Sequence, residues 1–483
     1  MIRNKFGWGL LAGAATMLSN NTDASLPADR HNFLFICTDH YTTQAFSYVG
    51  NPYVKTPNLD GLARDGLFFN NAYCTYSLSS PSRASLITGL MPHQNGVNRN
   101  RLPLAEQFEP NTLGRLLKDA GYNAAWYGKW HVGKLVEEKH GFESTSCNDE
   151  NLAGTVIDFL RKQKAGNKPF FVAASYSNPH NICQAARRQP LPDVTIQWED
   201  VPLKDCPNVR PNFARNAFPP EILEIEQMRY PLNYPGYYFT REDWRRYLYI
   251  YYRLVEHVDG QIGEIITALK ELGLYDNTMI IFTSDHGDGL GSHTWNQKTS
   301  LHEEVASIPF IVKSPDKKSA GKFTNALMSN GLDLLPTICD YAGARIPEGL
   351  KGKSLRPVIE GKSDKIHEAV FTETVFGEGD GLGTHGWSVR TPGYKYIIYS
   401  MGKYREQLFD MISDRTEMVN LAVENRMKDE LDRHRRLLYQ WASDTDDQNA
   451  LTTLKDLCPE FKDAKKSNNN NEGATQSGKI IRI

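Results

Sequence analysis

The chain has 483 residues, enough for two or three folding units and for a core that needs no disulfide or metal staple. Lys+Arg of 55 against Asp+Glu of 57 gives a formal net charge of -2, which excludes the basic excess of a nucleic-acid protein. A hydrophobic share of 40% with 23% charged residues excludes wholesale disorder, and 37 Gly with 25 Pro suit a loop-rich α/β enzyme.

Arg3 and Lys5 precede the apolar run Phe6–Leu18, and Thr22-Asp23-Ala24 supplies small residues for cleavage. Residues 1–24 therefore read as a secretory signal peptide, with a periplasmic or otherwise exported mature protein expected. A buried or amphipathic N-terminal helix is the competing reading. The run is shorter than the ~20 apolar residues of a membrane span, so the protein is not expected to span a membrane.

Phe33–Thr38 is a short continuous apolar run, the mark of a strand buried on both faces. Similar runs recur at Asn123–Tyr127, Phe170–Ser175, Thr278–Ser284 and Pro309–Val312. Helical patterns lie between them. Asn111 is placed to cap a helix through Asp119, Asn151–Gln163 is amphipathic, and Thr240-Arg-Glu-Asp243 opens a long helix ending near Gly273. Strands alternating with helices predict an α/β fold, a mostly parallel sheet covered on both faces.

Residues 184–235 are proline-rich and lack periodicity, and their aromatic residues favour an ordered, packed excursion. After about Lys365 the pattern changes to short strands at Ala369–Val375, Trp387–Val389, Tyr394–Ser400 and Gln407–Met411, then a last helix over about Arg426–Ala442. The expected division is a catalytic domain over 25–365, a C-terminal sheet-plus-helix subdomain over 366–464 and a disordered tail over 465–483. The seven cysteines show no C-x-x-C or zinc pattern. Cys183 and Cys206 flank a loop, and their spacing leaves a bridge open.

Ligands of open α/β sheets bind beyond the carboxyl ends of the strands. There the sequence places Asp39-His40, Asn178-Pro179-His180 and Asp285-His286-Gly287. Carboxylates gathered at neighbouring strand ends suit a hard cation, although an Asp after a strand is as often a cap or turn residue. Ser79-Ser-Pro-Ser-Arg83 sits where Pro81 opens a helix, so Ser79 would meet the free N–H groups of a helix N-terminus with Arg83 one turn on. On local physics alone, Ser79 or Ser80 is more simply an N-cap.

The segment Ser79-Ser-Pro-Ser-Arg-Ala-Ser-Leu-Ile-Thr-Gly89 resembles the signature of the formylglycine-dependent (type I) sulfatases. Further blocks similar to that family run in order: Lys55–Ala63, Gly128-Lys-Trp-His131, Pro179-His180, Ser284–Gly287, Gly291–Lys298 and Gln407–Asp410. The resemblance covers about residues 32–440. It implies an alkaline-phosphatase-like fold and sulfate-ester hydrolysis.

By matching position, the resemblance implies oxidation of Ser79 to formylglycine (3-oxoalanine), hydrated to a diol. One diol oxygen attacks sulfur, and the second then expels sulfate. A metal would be held by Asp39, residue 79, Asp285 and His286, with Ca²⁺ expected and Mg²⁺ or Mn²⁺ as alternatives. Arg83 and Lys129 would support the formylglycine, His131 would act as base toward it, and His180 and Lys298 would hold sulfate oxygens, one protonating the leaving group. His40 stands where many family members have a second Asp, and its role is left open. His293 either faces the cleft or is structural. A Ser at the modified position implies a bacterial chain matured by a radical-SAM enzyme before export.

The expected substrate is a sulfated glycan such as a glycosaminoglycan or an algal polysaccharide. His385, Trp387 and Arg390 are taken as substrate-binding residues flanking the pocket. Two enzymatic alternatives share the fold: a phosphatase or phosphonate monoester hydrolase using unmodified Ser79, and a heparan N-sulfatase, which His93-Gln-Asn-Gly96 resembles without deciding between them. A catalytically dead carbohydrate-binding module is disfavoured, because the acidic, basic and histidine residues of the motif blocks are retained together.

Overall fold

Strand β1 (Asn32–Asp39) runs through the centre of a seven-stranded sheet in a computed structural model that describes residues 30–462 except 146, 193 and 378–382. The signal peptide read over 1–24 and the tail read from 465 lie outside the described residues. The remaining strands, in chain order, are β2 (Leu67–Phe69), β3 (Ala72–Tyr73), β4 (Asn123–Gly128), β5 (Phe170–Pro179), β6 (Thr278–Ser284) and β7 (Phe310–Lys313). They continue with β8 (Lys322–Thr324), β9 (Met328–Ser329), β10 (Val370–Phe376), β11 (Thr384–Arg390), β12 (Tyr394–Tyr399) and β13 (Glu406–Asp410).

The large sheet has the order β4-β5-β1-β6-β7-β2-β8. Strands β4, β5, β1 and β6 are mutually parallel, whereas β7 is antiparallel to both β6 and β2. The side chains of β1 explain its unbroken apolar run. Leu34 and Ile36 enter a core with the helix Arg241–Glu271, while Phe33, Phe35 and Cys37 enter the opposite core with Trp126 and Leu335. A strand covered on both faces has no solvated side to carry polar alternation.

The long helix begins as its sequence predicts. Thr240 Oγ1 accepts the Asp243 N–H at 3.2 Å, and the Asp243 carboxylate accepts the Thr240 N–H at 3.0 Å, a reciprocal cap. One other cap differs from expectation. Thr112, not Asn111, precedes the helix Leu113–Asp119, because Glu106–Asn111 is itself a 3-10 turn. Asn148 caps the helix Asp149–Lys164 through the Asn151 N–H.

Strands β10 to β13 form an antiparallel sheet packed under the helices Lys428–Thr445 and Gln448–Leu457. The second of these helices was not expected. Asp446 turns the chain in the left-handed region, and Asp447 caps the new helix through the Ala450 N–H. The described residues from His31 onward cluster as one unit, and a bridge between Tyr76 and Glu373 sets this sheet beside the segment leading to Ser79. The 184–235 excursion is ordered and contains the helix Glu221–Arg229. All seven cysteines are free, so Cys183 and Cys206 are not bridged.

Candidate active site

The carboxyl ends of the adjacent parallel strands β4, β5, β1 and β6 deliver Lys129, His180, Asp39 and Asp285 to one place. The turn after β4 requires glycine. Gly128 has φ +83°, and a Cβ there would lie 2.1 Å from the Ser175 carbonyl oxygen. The close approach lets the Lys129 N–H reach that carbonyl at 2.7 Å, and the Lys129 ammonium then pairs with Asp39.

Ser79 is the first residue of the helix Ser79–Thr88, fully buried, with its Oγ 3.0 Å from His286 Nε2. His286 Nδ1 lies 2.9 Å from the Gly287 carbonyl, which can only accept, so Nδ1 carries the proton and Nε2 presents a lone pair to residue 79. One turn along, Arg83 is also buried. Its Nε donates to Asp285 Oδ2 at 2.8 Å, and its Nη1 donates to the Lys129 carbonyl at 2.9 Å and Ser175 Oγ at 2.8 Å. A guanidinium so fully engaged fixes Asp285 against the start of the helix. Ser82 adds a hydrogen bond to the Asp285 carbonyl at 2.6 Å, and Ser80 donates to the His131 carbonyl.

Burial pushes the Asp39 carboxyl up, but Lys129 and the neighbouring imidazoles outweigh it and hold Asp39 well below the usual carboxylate range. Burial also lowers the pKa of His40, His180 and His286, and burial followed by the Lys129 charge brings His131 down to about 3. The imidazoles are therefore neutral, with lone pairs available as ligands or bases.

Asp39 Oδ1 and His40 Nε2 are buried without a hydrogen-bond partner, 3.6 Å apart. His286 Nε2 lies 3.8 Å from Asp39 Oδ1 and 3.7 Å from Asp285 Oδ1. One donor atom each from Asp39, His40 and His286 falls within 4.8 Å of the others. Lone pairs facing each other in a dry site call for a cation between them, so these residues fit a divalent metal. The structure adds His40 to this group. Its Nδ1 lies 3.2 Å from Asp288 Oδ2, and Tyr247 donates to the same carboxylate at 2.9 Å, so Asp288 turns His40 Nε2 inward. Asp288 escaped the sequence reading, although its place three residues beyond Asp285 was a visible signal.

His180 and Lys298 sit 3.4 Å apart, Nε2 to Nζ, in a cavity of about 440 Å³ that Arg101, Arg187, Tyr230 and Tyr234 also line. A larger groove of about 640 Å³, which includes Tyr53 and Arg415, holds none of the residues above. Three predicted substrate residues lie elsewhere. Trp387 is buried and donates to Asp447 at 2.7 Å, with His385 stacked on it beside His93. Arg390 is 3% exposed and donates to the Tyr73 hydroxyl at 2.8 Å. Side chains alternate along β11, and both of its faces are covered, which withdraws Trp387 and Arg390 from the cavity. His293 faces a separate cavity.

The Sulfatase family profile matches residues 31–146 and 137–344, and the profile described as N-sulphoglucosamine sulphohydrolase, C-terminal, matches 291–443. A Delta 4,5-hexuronate-2-O-sulfatase of Bacteroides thetaiotaomicron is 32% identical over 444 residues, covering 86% of this chain and 89% of that protein. An N-acetylglucosamine-6-O-sulfatase of the same organism is 28% identical over 471 residues, covering 81% and 82%. The solved structure of a 2-O GAG sulfatase superimposes with a TM-score of 0.76 at 30% identity, covering 86% of this chain and 93% of that one.

Proposed function

The chain belongs to the sulfatase family and is a sulfuric ester hydrolase, and from that premise we propose that it acts on acidic sulfated glycans through a formylglycine made from Ser79. The observation that carries the reading is Ser79 itself, at a helix N-terminus and 3.0 Å from His286 Nε2, with Arg83 locked one turn below it. An unmodified serine would form a sulfate ester with no internal route to release. Converted to the hydrated aldehyde, residue 79 supplies a nucleophilic oxygen and a second oxygen through which the ester can break down.

Asp39, Asp285, His286 and residue 79 would hold the metal, with His40 as a further donor. When bound, the cation draws charge from the sulfate and acidifies the neighbouring hydroxyl. The carboxylate oxygens favour a hard cation, Ca²⁺ first with Mg²⁺ or Mn²⁺ as alternatives. Lys129 holds Asp39 ionised, and Arg83 holds Asp285 in place. His131, neutral down to about pH 3, is suited to take a proton from residue 79. Lys298 and His180 are suited to bind sulfate oxygens, with His180 or Lys298 returning a proton to the leaving alcohol.

Arg101 and Arg187 flank the cavity next to these two groups, and guanidinium forks suit carboxylate or additional sulfate. Tyr230 and Tyr234 give apolar walls for a sugar face. The hexuronate and GAG specificities of the relatives point in the same direction. A second reading, N-sulfate rather than O-sulfate, is favoured by the profile matched over 291–443. Residues 25–365 would form the catalytic part and 366–464 the subdomain behind it. Among the described residues no helix is long and apolar enough to cross a membrane. Export through the signal peptide, after a radical-SAM maturase has acted, is part of the same proposal. The test is hydrolysis of one aryl group carrying sulfate or phosphate, followed by a panel of O- and N-sulfated saccharides. Faster phosphate release would overturn the sulfatase assignment of this site.

A further inference from the structure

Away from the active site, the described residues hold a second group of buried imidazole and carboxylate donors. His293, Glu304 and Glu417 each bring one donor atom within 4.8 Å of the others. His302 stacks on His293 with ring centroids 4.0 Å apart. Both ring nitrogens of His293, both of His302 and Oε2 of Glu304 lack a hydrogen-bond partner. His293 is 7% exposed, His302 3% and Glu304 2%, so all three side chains are buried. Buried polar groups are ordinarily paired, so a concentration of unpaired ones in one place calls for an occupant.

The groups behind the donors already orient them. Glu304 Oε1 accepts from Asn212 at 2.9 Å, which leaves Oε2 for the cluster. Glu417 Oε2 accepts the Glu303 N–H at 2.7 Å, while its Oε1 lies 2.8 Å from Lys395, a cation that Glu303 shares at 3.2 Å. Burial lowers the pKa of both imidazoles, which keeps their lone pairs free. His293 and His302 also open onto a cavity of about 250 Å³, an entry path for a small ion.

We propose that His293, Glu304 and Glu417, with His302 beside them, form a second metal site that takes a divalent transition-metal cation such as Zn²⁺. Imidazole nitrogen combined with carboxylate oxygen is a donor set for Zn²⁺, with bonds of about 2.0–2.2 Å that side-chain rotation can reach from the observed spacing. Lys298 lies in the chain between His293 and Glu304. An ion bound there would tie the segment that carries Lys298 to Glu417, which follows strand β13 in the chain.

The test compares wild type with His293→Ala and Glu304→Gln. Each protein is stripped with chelator, saturated with Ca²⁺ to fill the active site, dialysed against Zn²⁺ and assayed by elemental analysis. Wild type should retain about one equivalent of Zn²⁺ that both variants lose, with Ca²⁺ content unchanged. Because His293→Ala could fail to fold, Co²⁺ is also added to Ca²⁺-saturated wild type and to Glu304→Gln, which keeps the shape of the side chain. A ligand-field absorption band in wild type that is absent from Glu304→Gln supports the site. Equal Zn²⁺ content in wild type and Glu304→Gln, or a wild-type Co²⁺ spectrum no different from that of the free ion, overturns it.

Discussion

His286 turns its Nε2 to the Ser79 hydroxyl at 3.0 Å because its Nδ1–H is committed to the Gly287 carbonyl at 2.9 Å. The backbone thus selects the tautomer, and the tautomer decides that residue 79 meets a lone pair. Gly287 itself sits so tightly against Glu304 that a Cβ would lie 2.0 Å from that carbonyl oxygen. The imidazole is therefore oriented by packed backbone and not by a flexible partner.

Asp285 has two duties that one substitution exposes. It would hold the metal, and it neutralises Arg83 at 2.8 Å in a fully buried position. Asp285→Ala should abolish turnover and metal retention together. It should also cost roughly 3–5 kcal/mol of stability, because the buried guanidinium loses its nearest carboxylate and keeps only the more distant Asp39, at 3.7 Å, as counter-charge. Thermal melting and elemental analysis of the same preparation check both halves. A variant that keeps its metal and full activity would remove Asp285 from the site.

Arg101 is expected to act on the substrate and not on the chemistry. It lines the cavity with His180 and Lys298 but contacts neither Ser79 nor Asp39 through any hydrogen bond of the described residues. Arg101→Ala should raise KM for a sulfated uronate-containing oligosaccharide roughly tenfold, the scale of one charge-assisted hydrogen bond. Turnover of a small aryl sulfate should stay within about twofold of wild type. Trimming the middle of the 184–235 excursion should follow the same pattern. Equal losses on both substrates would contradict this division of labour.

How far the sequence foretold these arrangements depends on how local the signal was. The strands β1, β5 and β6 were legible because burial on both faces leaves an unbroken apolar run, and chemistry-bearing residues follow each run at once. The helix Glu221–Arg229 was not legible. Its Ile225 and Met228 are 37% and 55% exposed while Ile222 and Leu223 are buried, so no one-sided apolar stripe marks it. Trp387 and Arg390 misled for the opposite reason. An aromatic and a basic residue in one strand looked like a sugar-binding edge, but the sheet they belong to is covered on both sides, and only the tertiary packing reveals that. His40 and Asp288 form a pair 248 residues apart in the chain, and no local pattern links them.

A pH effect on stability should come from His93. Burial pushes its pKa down from the ordinary 6.5, but the Glu373 carboxylate at 2.9 Å, with Asp447 behind it, outweighs burial and raises it to about 9. A raised histidine favours the folded state fully below pH 6.5, and that contribution fades as the pH rises through 9. His93→Gln should therefore lower stability by about 3 kcal/mol at pH 6 and by much less at pH 10. Denaturant titrations of both proteins at the two pH values measure the difference. A gap that is constant with pH would mean that His93 is held by packing and not by its charge.

The central claim is the modification of Ser79, and one paired measurement reaches it most directly. The protein is produced with and without a Ser-type radical-SAM maturase. The peptide spanning residue 79 is weighed by mass spectrometry, and sulfate release is assayed on the same samples. The expected result is a loss of two hydrogens at residue 79 only in the matured protein, with sulfatase activity rising in proportion to the converted fraction and with Ser79→Ala inactive under both conditions. Unmodified Ser79 protein that releases sulfate as fast as the matured form would contradict the account.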